Sequence, residues 1–270
     1  MKTLNAGGKR LEFEWHGAPP DEAPTLVFLH DGLGCVAMWR DFPEELARRT
    51  GCGALVYSRA GYGGSDPVEV PRPLTYMHEE GTQVLPEVLA AAGVKRAFLI
   101  GHSNGGSIAL LHAGAANSFP GLAGLLLEAP HVFCEDLSVA SIARAREAYV
   151  HGDLRSRLQR YHGANVDCAF WGWNRAWLDP EFRRWNIESS LPSIRVPVLV
   201  LQGADDEYGT LAQVESITRQ CGGPVETEVL ERCGHSPHKD QRERTLARMA
   251  AFVGRFAPPP VPRRVAARAP

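Results

Sequence analysis

The 270-residue sequence contains no apolar run long enough to cross a membrane. Its longest apolar stretches, at residues 26–29 and 122–127, are far shorter than the roughly 18–20 residues that span a bilayer. The N-terminus alternates apolar and charged residues over positions 10–16, so we expect no secretory signal peptide. These absences predict a cytoplasmic protein without a membrane segment.

Neither sign of charge is in excess. The chain has 29 Lys and Arg residues against 31 Asp and Glu residues, which gives a net charge of −2. This balance provides no electrostatic field to attract nucleic acid or an anionic membrane. The apolar content of 44% is typical of a globular domain and excludes a disordered chain. We therefore expect a small-molecule substrate and neither a nucleic-acid nor a membrane partner, and the sequence leaves a homo-oligomer open.

The six cysteines form no CxxC pair, and we expect them to be buried free thiols in a reducing cytoplasm. They are Cys35, Cys52, Cys134, Cys168, Cys221 and Cys233. A metal site is not expected either. His235 and His238 are three positions apart, but they lie in a loop that contains Gly and Pro and has no third ligand.

Strand-forming and helix-forming segments alternate along most of the chain. Runs rich in strand formers occupy residues 10–16, 25–30, 53–58, 96–100, 122–127, 196–202 and 225–230. Helical patterns begin near 41 and 75 and cover 104–112, 210–221 and 240–256. Strands separated by helices pair in parallel, and runs that are apolar on both faces need a helix layer on each side. The sequence predicts an α/β fold with a mostly parallel sheet and helices on both faces.

The strand signal disappears between residues 131 and 190. This segment is helical in character and contains four of the six tryptophans. Because neither of its ends supplies a strand, we interpret it as a helical lid inserted over the end of the sheet; ordinary helices flanking the core are the alternative. The predicted organisation is a core of residues 1–130 and 191–256, a lid of residues 131–190, and a flexible Pro- and Arg-rich tail at 257–270.

A G-x-S-x-G motif, GHSNGG at residues 101–106, stands between a predicted buried strand and a predicted helix. In this context the motif is typical of a nucleophile elbow, a sharp turn that presents Ser103 at the carboxyl ends of the strands. A serine on such a turn takes a strained backbone conformation, so the residues two positions away must be small. The turn also places the backbone N–H of Asn104 at a helix N-terminus, where negative charge is stabilised.

A serine nucleophile needs a base, usually a histidine that is oriented by a carboxylate. Asp205 and Asp206 follow the predicted strand at 196–202, and His235 follows the next strand. Because the carboxyl ends of parallel strands meet at one edge of a sheet, we expect these side chains to lie close to Ser103. The pattern predicts a catalytic group of Ser, His and Asp.

This elbow, followed by Asp and His after successive strands, resembles the α/β-hydrolase superfamily over about residues 10–256. Two further stretches carry the resemblance. They are HDGLG at residues 30–34, with Trp39 downstream, and RAGYGGS at residues 59–65.

The resemblance implies a serine hydrolase in which Ser103, Asp206 and His235 are catalytic and the segment 131–190 matches the position of the family's lid. In such enzymes the acid usually stands three residues after the glycine that closes its strand. This spacing selects Asp206 over Asp205.

An oxyanion hole requires two donors aimed at the developing charge. Asn104 N–H is the first candidate, and the aligned donor of the loop after the second strand is Gly32, with Leu33 as the alternative. Family members usually have His-Gly-x in this loop, whereas this chain has His-Asp-Gly. Asp31 is therefore a departure, and we expect its carboxylate to point away or to be hydrogen-bonded locally.

Aromatic residues of the lid are candidates for substrate binding. Trp171 and Trp173 either wall an apolar acyl or aryl pocket or pack inside the lid, and His131 is a candidate to face the cleft where the lid begins. The serine machinery needs no cofactor.

These residues together predict hydrolysis of a small carboxylic ester, lactone or thioester through an acyl-enzyme. Epoxide and haloalkane hydrolysis on this fold resemble cases with Asp at the elbow, so Ser103 disfavours them. Carbon–carbon bond hydrolysis of a diketone, cofactor-free peroxidation and a non-catalytic ligand-binding member of the fold are the alternatives.

Overall fold

An eight-stranded sheet forms the centre of the molecule in a computed structural model that describes residues 1–257. The strand order is β1-β2-β4-β3-β5-β6-β7-β8. The first two pairings along the sheet, β1 with β2 and β2 with β4, are antiparallel, and all later pairs are parallel. The strands are β1 (Lys2–Ala6), β2 (Lys9–Gly17), β3 (Thr25–Leu29), β4 (Gly53–Tyr57), β5 (Ala97–His102), β6 (Leu122–Glu128), β7 (Val198–Gly203) and β8 (Val225–Leu230).

Ten α-helices connect or flank these strands within the described residues. They are α1 (Phe42–Thr50), α2 (Tyr76–Glu79), α3 (Leu85–Ala91), α4 (Asn104–Gly114), α5 (Asp136–His151), α6 (Leu154–His162), α7 (Val166–Trp177), α8 (Leu211–Gln220), α9 (Pro237–Asp240) and α10 (Arg242–Phe256). A π-helical turn, Glu80–Val84, joins α2 to α3. Four 3₁₀ helices complete the set: Val36–Trp39, Gly163–Asn165, Pro180–Arg184 and Glu188–Ser193.

Apolar side chains on both faces of the sheet explain the two helix layers. Successive residues of a strand point to opposite faces, so Val27 joins the core beneath α3 and α4, while Phe28 joins the core beneath α1 and α10. The central strands β3 to β7 are buried over most of their length. The predicted mostly parallel sheet with helices on both faces is confirmed.

The segment 131–190 leaves the sheet after β6 and returns before β7, which is the neighbouring strand. Its two ends are joined by a single bridge between Phe133 and Asn186 and by the hydrogen bond from Ile187 N to Val132 O at 2.7 Å. Between these ends the chain is helical. The segment is therefore an insertion between β6 and β7 whose two ends are hydrogen-bonded to each other.

Three further expectations concern the cysteines, a membrane-spanning segment and the C-terminal tail. All six cysteines are free, but burial holds for only three, since Cys134, Cys168 and Cys221 are half-buried. No helix within residues 1–257 is long and apolar enough to cross a membrane. The predicted flexible tail lies, beyond its first residue, outside the described residues.

Candidate active site

Ser103 occupies the turn between β5 and α4 with φ 53° and ψ −118°, a region that L residues rarely adopt. The glycines on either side make this turn sterically feasible. A Cβ atom at Gly101 would lie 2.5 Å from the Gly105 carbonyl oxygen, and one at Gly105 would lie 1.9 Å from the Leu29 carbonyl oxygen. The turn has the tight geometry expected of a nucleophile elbow.

Asp206 and His235 form a direct hydrogen-bonded pair at the ends of β7 and β8. His235 Nδ1 lies 2.9 Å from both carboxylate oxygens of Asp206. The Asp206 side chain is 1% exposed, and it also accepts hydrogen bonds from Gln202 Nε2 at 2.6 Å and Tyr208 N at 2.7 Å. Asp205 is exposed and makes its contact through its backbone N–H to Cys233. Of the two adjacent aspartates, only Asp206 contacts the imidazole.

The electrostatics of Asp206 favour its ionised form. Burial would raise the pKa of this carboxyl, but the hydrogen bonds from His235 and from Tyr208 N–H hold the pKa below its usual value. A carboxylate in this state can orient His235 and stabilise the imidazolium form of the ring.

Ser103 and His235 line one cavity of about 150 Å³ at the carboxyl ends of the strands. Within residues 1–257, the Ser103 hydroxyl makes no hydrogen bond to the imidazole. Catalytic hydrogen bonds often tighten only when substrate is bound. The lining residues are Asp31, Gly32, Leu33, Ser103, Asn104, His131, Ser138, Ile142, Trp173, Trp177, Glu207, Tyr208, His235 and Ser236.

Arg59 holds the loop after β3 in place through two hydrogen bonds to its backbone. The side chain is fully buried, and its Nη1 and Nη2 donate to the carbonyl oxygens of His30 at 2.6 Å and Asp31 at 2.8 Å. In a trans peptide the N–H points opposite to the carbonyl. The N–H of Gly32 therefore points away from Arg59. The sequence motif that contains Arg59 gave no indication of this contact.

The two predicted oxyanion donors line the cavity together. The backbone N–H groups of Gly32, Leu33 and Asn104 make no hydrogen bond in the described part of the chain. A Cβ atom at Gly32 would lie 2.3 Å from Trp173 Nε1, so this glycine also permits the close approach of α7. The N–H groups of Gly32 and Leu33 are therefore both available to a substrate oxygen, and Trp173 packs against Gly32.

His102 and His238 support the loop that carries His235. His102 Nε2 lies 2.7 Å from the His235 carbonyl oxygen, and burial lowers the pKa of His102 to about 3, which keeps it neutral. His238 donates its backbone N–H at 2.9 Å and its Nδ1–H at 2.8 Å to the fully buried carboxylate of Glu128. His235 and His238 thus pair with different carboxylates. No group of three metal-ligating side chains occurs among the described residues.

The predicted substrate-binding residues divide into two groups. Trp173 and His131 line the cavity, whereas Trp171 does not. Trp171 packs against Tyr149 and Phe170 inside the helical segment, which is the alternative that the sequence left open. Sequence reasoning missed the remaining lining residues of this segment and of the loop after β7, because helical periodicity does not indicate which face meets the cavity. They are Ser138, Ile142, Trp177, Glu207 and Tyr208.

Comparison with known protein families identifies the family of this chain. Residues 26–248 match the model of the alpha/beta hydrolase family. The chain belongs to this family. The match contains the elbow, Asp206 and His235, so the fold and the superfamily resemblance seen in the sequence are confirmed.

Individual relatives are more distant. The chain is 32% identical over 109 residues to 2-succinyl-6-hydroxy-2,4-cyclohexadiene-1-carboxylate synthase from Salmonella paratyphi C, an alignment that covers 40% of this chain and 39% of the synthase. The chain thus matches well under half the length of this curated relative.

Solved structures of esterases share the fold over nearly the whole chain. An esterase from Exiguobacterium antarcticum has a TM-score of 0.70 at 20% identity and covers 93% of this chain and 98% of its own. A thermophilic esterase from Thermogutta terrifontis has a TM-score of 0.71 at 18% identity, with 94% and 98% covered. At this level of identity the likeness concerns the α/β-hydrolase fold.

Proposed function

We propose that this family member is a serine hydrolase that cleaves a small carboxylic ester, lactone or thioester. One observation carries the proposal: Ser103 on its strained turn and His235, which is hydrogen-bonded to Asp206, line the same cavity as two free backbone donors. Membership of the alpha/beta hydrolase family supports hydrolysis as the reaction class.

In the proposed first step, His235 takes the proton of Ser103 while the serine oxygen attacks the substrate carbonyl carbon. Asp206 holds the imidazole in the required orientation and stabilises its charged form. The N–H groups of Asn104 and Gly32 stabilise the tetrahedral oxyanion. His235 then protonates the leaving alcohol or thiol, and an acyl group remains on Ser103.

In the second step, His235 removes a proton from water, which attacks the acyl-enzyme. The bond between the acyl carbon and the Ser103 oxygen breaks, and the proton returns to the serine. The acid is released and the resting enzyme is restored. The reaction consumes one water molecule and uses no group outside this chain.

The size and walls of the cavity support a small acyl group. An engineered cavity of about 150 Å³ in another protein holds benzene, and the cavity here has about 150 Å³. Leu33, Ile142 and Trp173 supply apolar wall, and the last two belong to the helical segment 131–190. We propose that this segment acts as the lid.

Carbon–carbon bond chemistry is the second candidate, because the curated relative is named for the synthesis of a succinyl cyclohexadiene carboxylate. The printed name describes a product with two carboxylates. No Lys or Arg lines the cavity of this chain, whereas Asp31 and Glu207 do. This charge distribution favours the ester over a dianionic substrate.

A fluorophosphonate probe tests the proposal. We expect it to label the wild-type chain and Glu147→Gln, an exposed control on α5, and to leave Ser103→Ala unlabelled. The wild type should also hydrolyse short nitrophenyl esters faster than a panel of diketones. Absence of labelling together with absence of ester turnover contradicts the proposal, and faster diketone cleavage favours the carbon–carbon alternative.

A further inference from the structure

Two carboxylates, those of Asp31 and Glu207, line the cavity, and no Lys or Arg side chain does. Asp31 precedes the candidate oxyanion donor Gly32 in the same loop, and Glu207 is exposed. Neither carboxylate accepts a hydrogen bond in the described part of the chain, and neither has a Lys or Arg nitrogen within 4 Å there. Burial, and the charges of Glu207 and Asp31 next, raise the pKa of Tyr208 to about 12, so both carboxylates act on one side chain of the cavity wall.

Asp31 is the more important of the two carboxylates. Its side chain is 25% exposed, and the nearest ionisable partner, His102 Nδ1, is 4.0 Å away. Burial would raise the pKa of Asp31, but His102 and Lys239 hold it well below its usual value, so the group is ionised at neutral pH. Of the two alternatives expected from the sequence, a carboxylate that points away or one that is hydrogen-bonded locally, the second is not seen in the described part of the chain. Partial burial of a carboxylate without a hydrogen-bond donor costs free energy, which a ligand that supplies a donor would offset.

His131 provides an independent sign of a missing ligand. It is 2% exposed and lines the cavity, and its ring makes no hydrogen bond within residues 1–257. Its ring centre lies 5.7 Å from that of His235. Burial lowers the pKa of His131 to about 3, so the ring is neutral at physiological pH and offers one acceptor and one donor nitrogen.

We infer that the acyl group held in this cavity carries a positively charged amino group, recognised by the Asp31 carboxylate with help from His131 and Glu207. The inference rests on the proposed serine hydrolysis and names its substrate class, a small aminoacyl ester or thioester. Water adds across the acyl bond, the bond from the acyl carbon to oxygen or sulfur breaks, and an amino acid and an alcohol or thiol leave.

The same charge arrangement explains why such a substrate reacts well. The Asp31 carboxylate, which has no Lys or Arg nitrogen within 4 Å in the described part of the chain, opposes the negative charge that develops on the carbonyl oxygen nearby. A bound ammonium group compensates that charge during the reaction. The preference should therefore affect kcat as well as KM.

Three benzyl esters of nearly equal shape test the inference. Alanine benzyl ester carries an ammonium group, benzyl isobutyrate replaces it with a methyl group, and monobenzyl methylmalonate replaces it with a carboxylate. We expect kcat/KM to be at least about tenfold higher for the alanine ester than for the isobutyrate, and lowest for the methylmalonate. Release of benzyl alcohol is measured by chromatography.

Variants separate recognition from the greater intrinsic reactivity of an aminoacyl ester. The ratio of kcat/KM for alanine ester to that for isobutyrate should fall about tenfold or more in Asp31→Asn, and less in Glu207→Gln, because Glu207 is exposed and its charge is screened. The ratio should not change in Glu147→Gln, which removes an exposed carboxylate from α5. An equal ratio in the wild type, Asp31→Asn and Glu207→Gln overturns the inference.

A binding measurement keeps this inference distinct from the proposed reaction. Ser103→Ala, which cannot form the acyl-enzyme, should bind alanine benzyl ester more tightly than benzyl isobutyrate in calorimetry. If this preference is seen but the wild type cleaves neither ester, the proposed reaction fails and the cation site stands. If Ser103→Ala shows no preference, the cation site fails.

Discussion

Two adjacent aspartates illustrate how single residues with the same chemistry differ in role. Asp206 is buried and contacts His235, whereas the exposed Asp205 uses only its backbone for contact. In the sequence both residues follow the same predicted strand, and only the spacing usual in the family favours Asp206 as the catalytic acid. The structure separates them by direct contact.

The first prediction concerns these side chains. Ser103→Ala and His235→Ala should each lower kcat/KM for a short ester by at least about 10³-fold. The first variant lacks the proposed nucleophile, and the second lacks the proposed base. Asp206→Asn should have a similar effect, and Asp205→Asn should have far less. Steady-state kinetics of the four variants provide the measurement. A larger loss in Asp205→Asn than in Asp206→Asn would show that the acid is wrongly assigned.

The second prediction concerns Arg59, which acts through the peptide that carries the Gly32 N–H. Arg59→Met should lower kcat by about 10–100-fold with little change in KM, because the donor is misdirected in the transition state. Arg48→Met, on the exposed side of α1, is the matched control. Kinetics are compared with thermal unfolding of both variants. Equal changes in kcat and KM would indicate that Arg59 has only a structural role.

At the scale of elements, the strand ends explain why the site could be predicted from the sequence. Strands β5 and β7 are short and buried, and β8 is a short strand in which apolar and polar residues are mixed. Each is followed by a residue of the site, so the parallel pattern brings these residues to one edge. The first strand was missed, because Lys2–Ala6 buries only two side chains and has a weak periodic signal. The π-helical turn between α2 and α3 was missed for a related reason, since the apolar spacing of the whole stretch is helical.

Contacts between elements were less predictable than the elements themselves. The approach of Trp173 to Gly32 joins positions that are far apart in the sequence, and no local pattern encodes it. The same holds for the paired His238 and Glu128, whose burial depends on where the loop after β8 settles. Local periodicity determines the strands and helices, while tertiary packing determines which side chains meet.

A double-mutant cycle tests the contact between α7 and the loop after β3. Gly32→Ala should lower kcat/KM by about tenfold or more, because a methyl group at this position would overlap the indole. Trp173→Leu in the same chain should recover part of that loss, since the smaller side chain admits the methyl group. Gly254→Ala is the control, as a Cβ atom there has no neighbour within 4 Å. Strictly additive losses would contradict direct contact.

For the whole molecule, burial of neutral histidines links stability to pH. Burial lowers the pKa of both His102 and His131 to about 3, whereas an unfolded histidine titrates near pH 6.5. Unfolding therefore takes up protons between these values, and the free energy of unfolding decreases as the pH falls below 6.5. Each histidine contributes at most about 1.4 kcal/mol per pH unit in that range. Above pH 6.5 this contribution is constant.

Urea unfolding at pH 6.5, 5.5 and 4.5 measures this dependence. His131→Gln should show a shallower decrease in unfolding free energy than the wild type, because one buried neutral imidazole is gone. His151→Gln, whose ring is 73% exposed, should follow the wild type. Identical slopes in all three chains would mean that His131 titrates in the folded protein as it does when unfolded.

The closed base of the segment 131–190 has an evolutionary consequence. Val132 and Ile187 are hydrogen-bonded to each other, so the sixty residues from 131 to 190 begin and end at nearly one point on the scaffold. The residues of the proposed reaction lie on the sheet and its loops, whereas five of the residues that line the cavity belong to the segment 131–190. Evolution of this protein could replace the segment 131–190 as a unit, and so change the substrate, while the proposed catalytic residues stay in place.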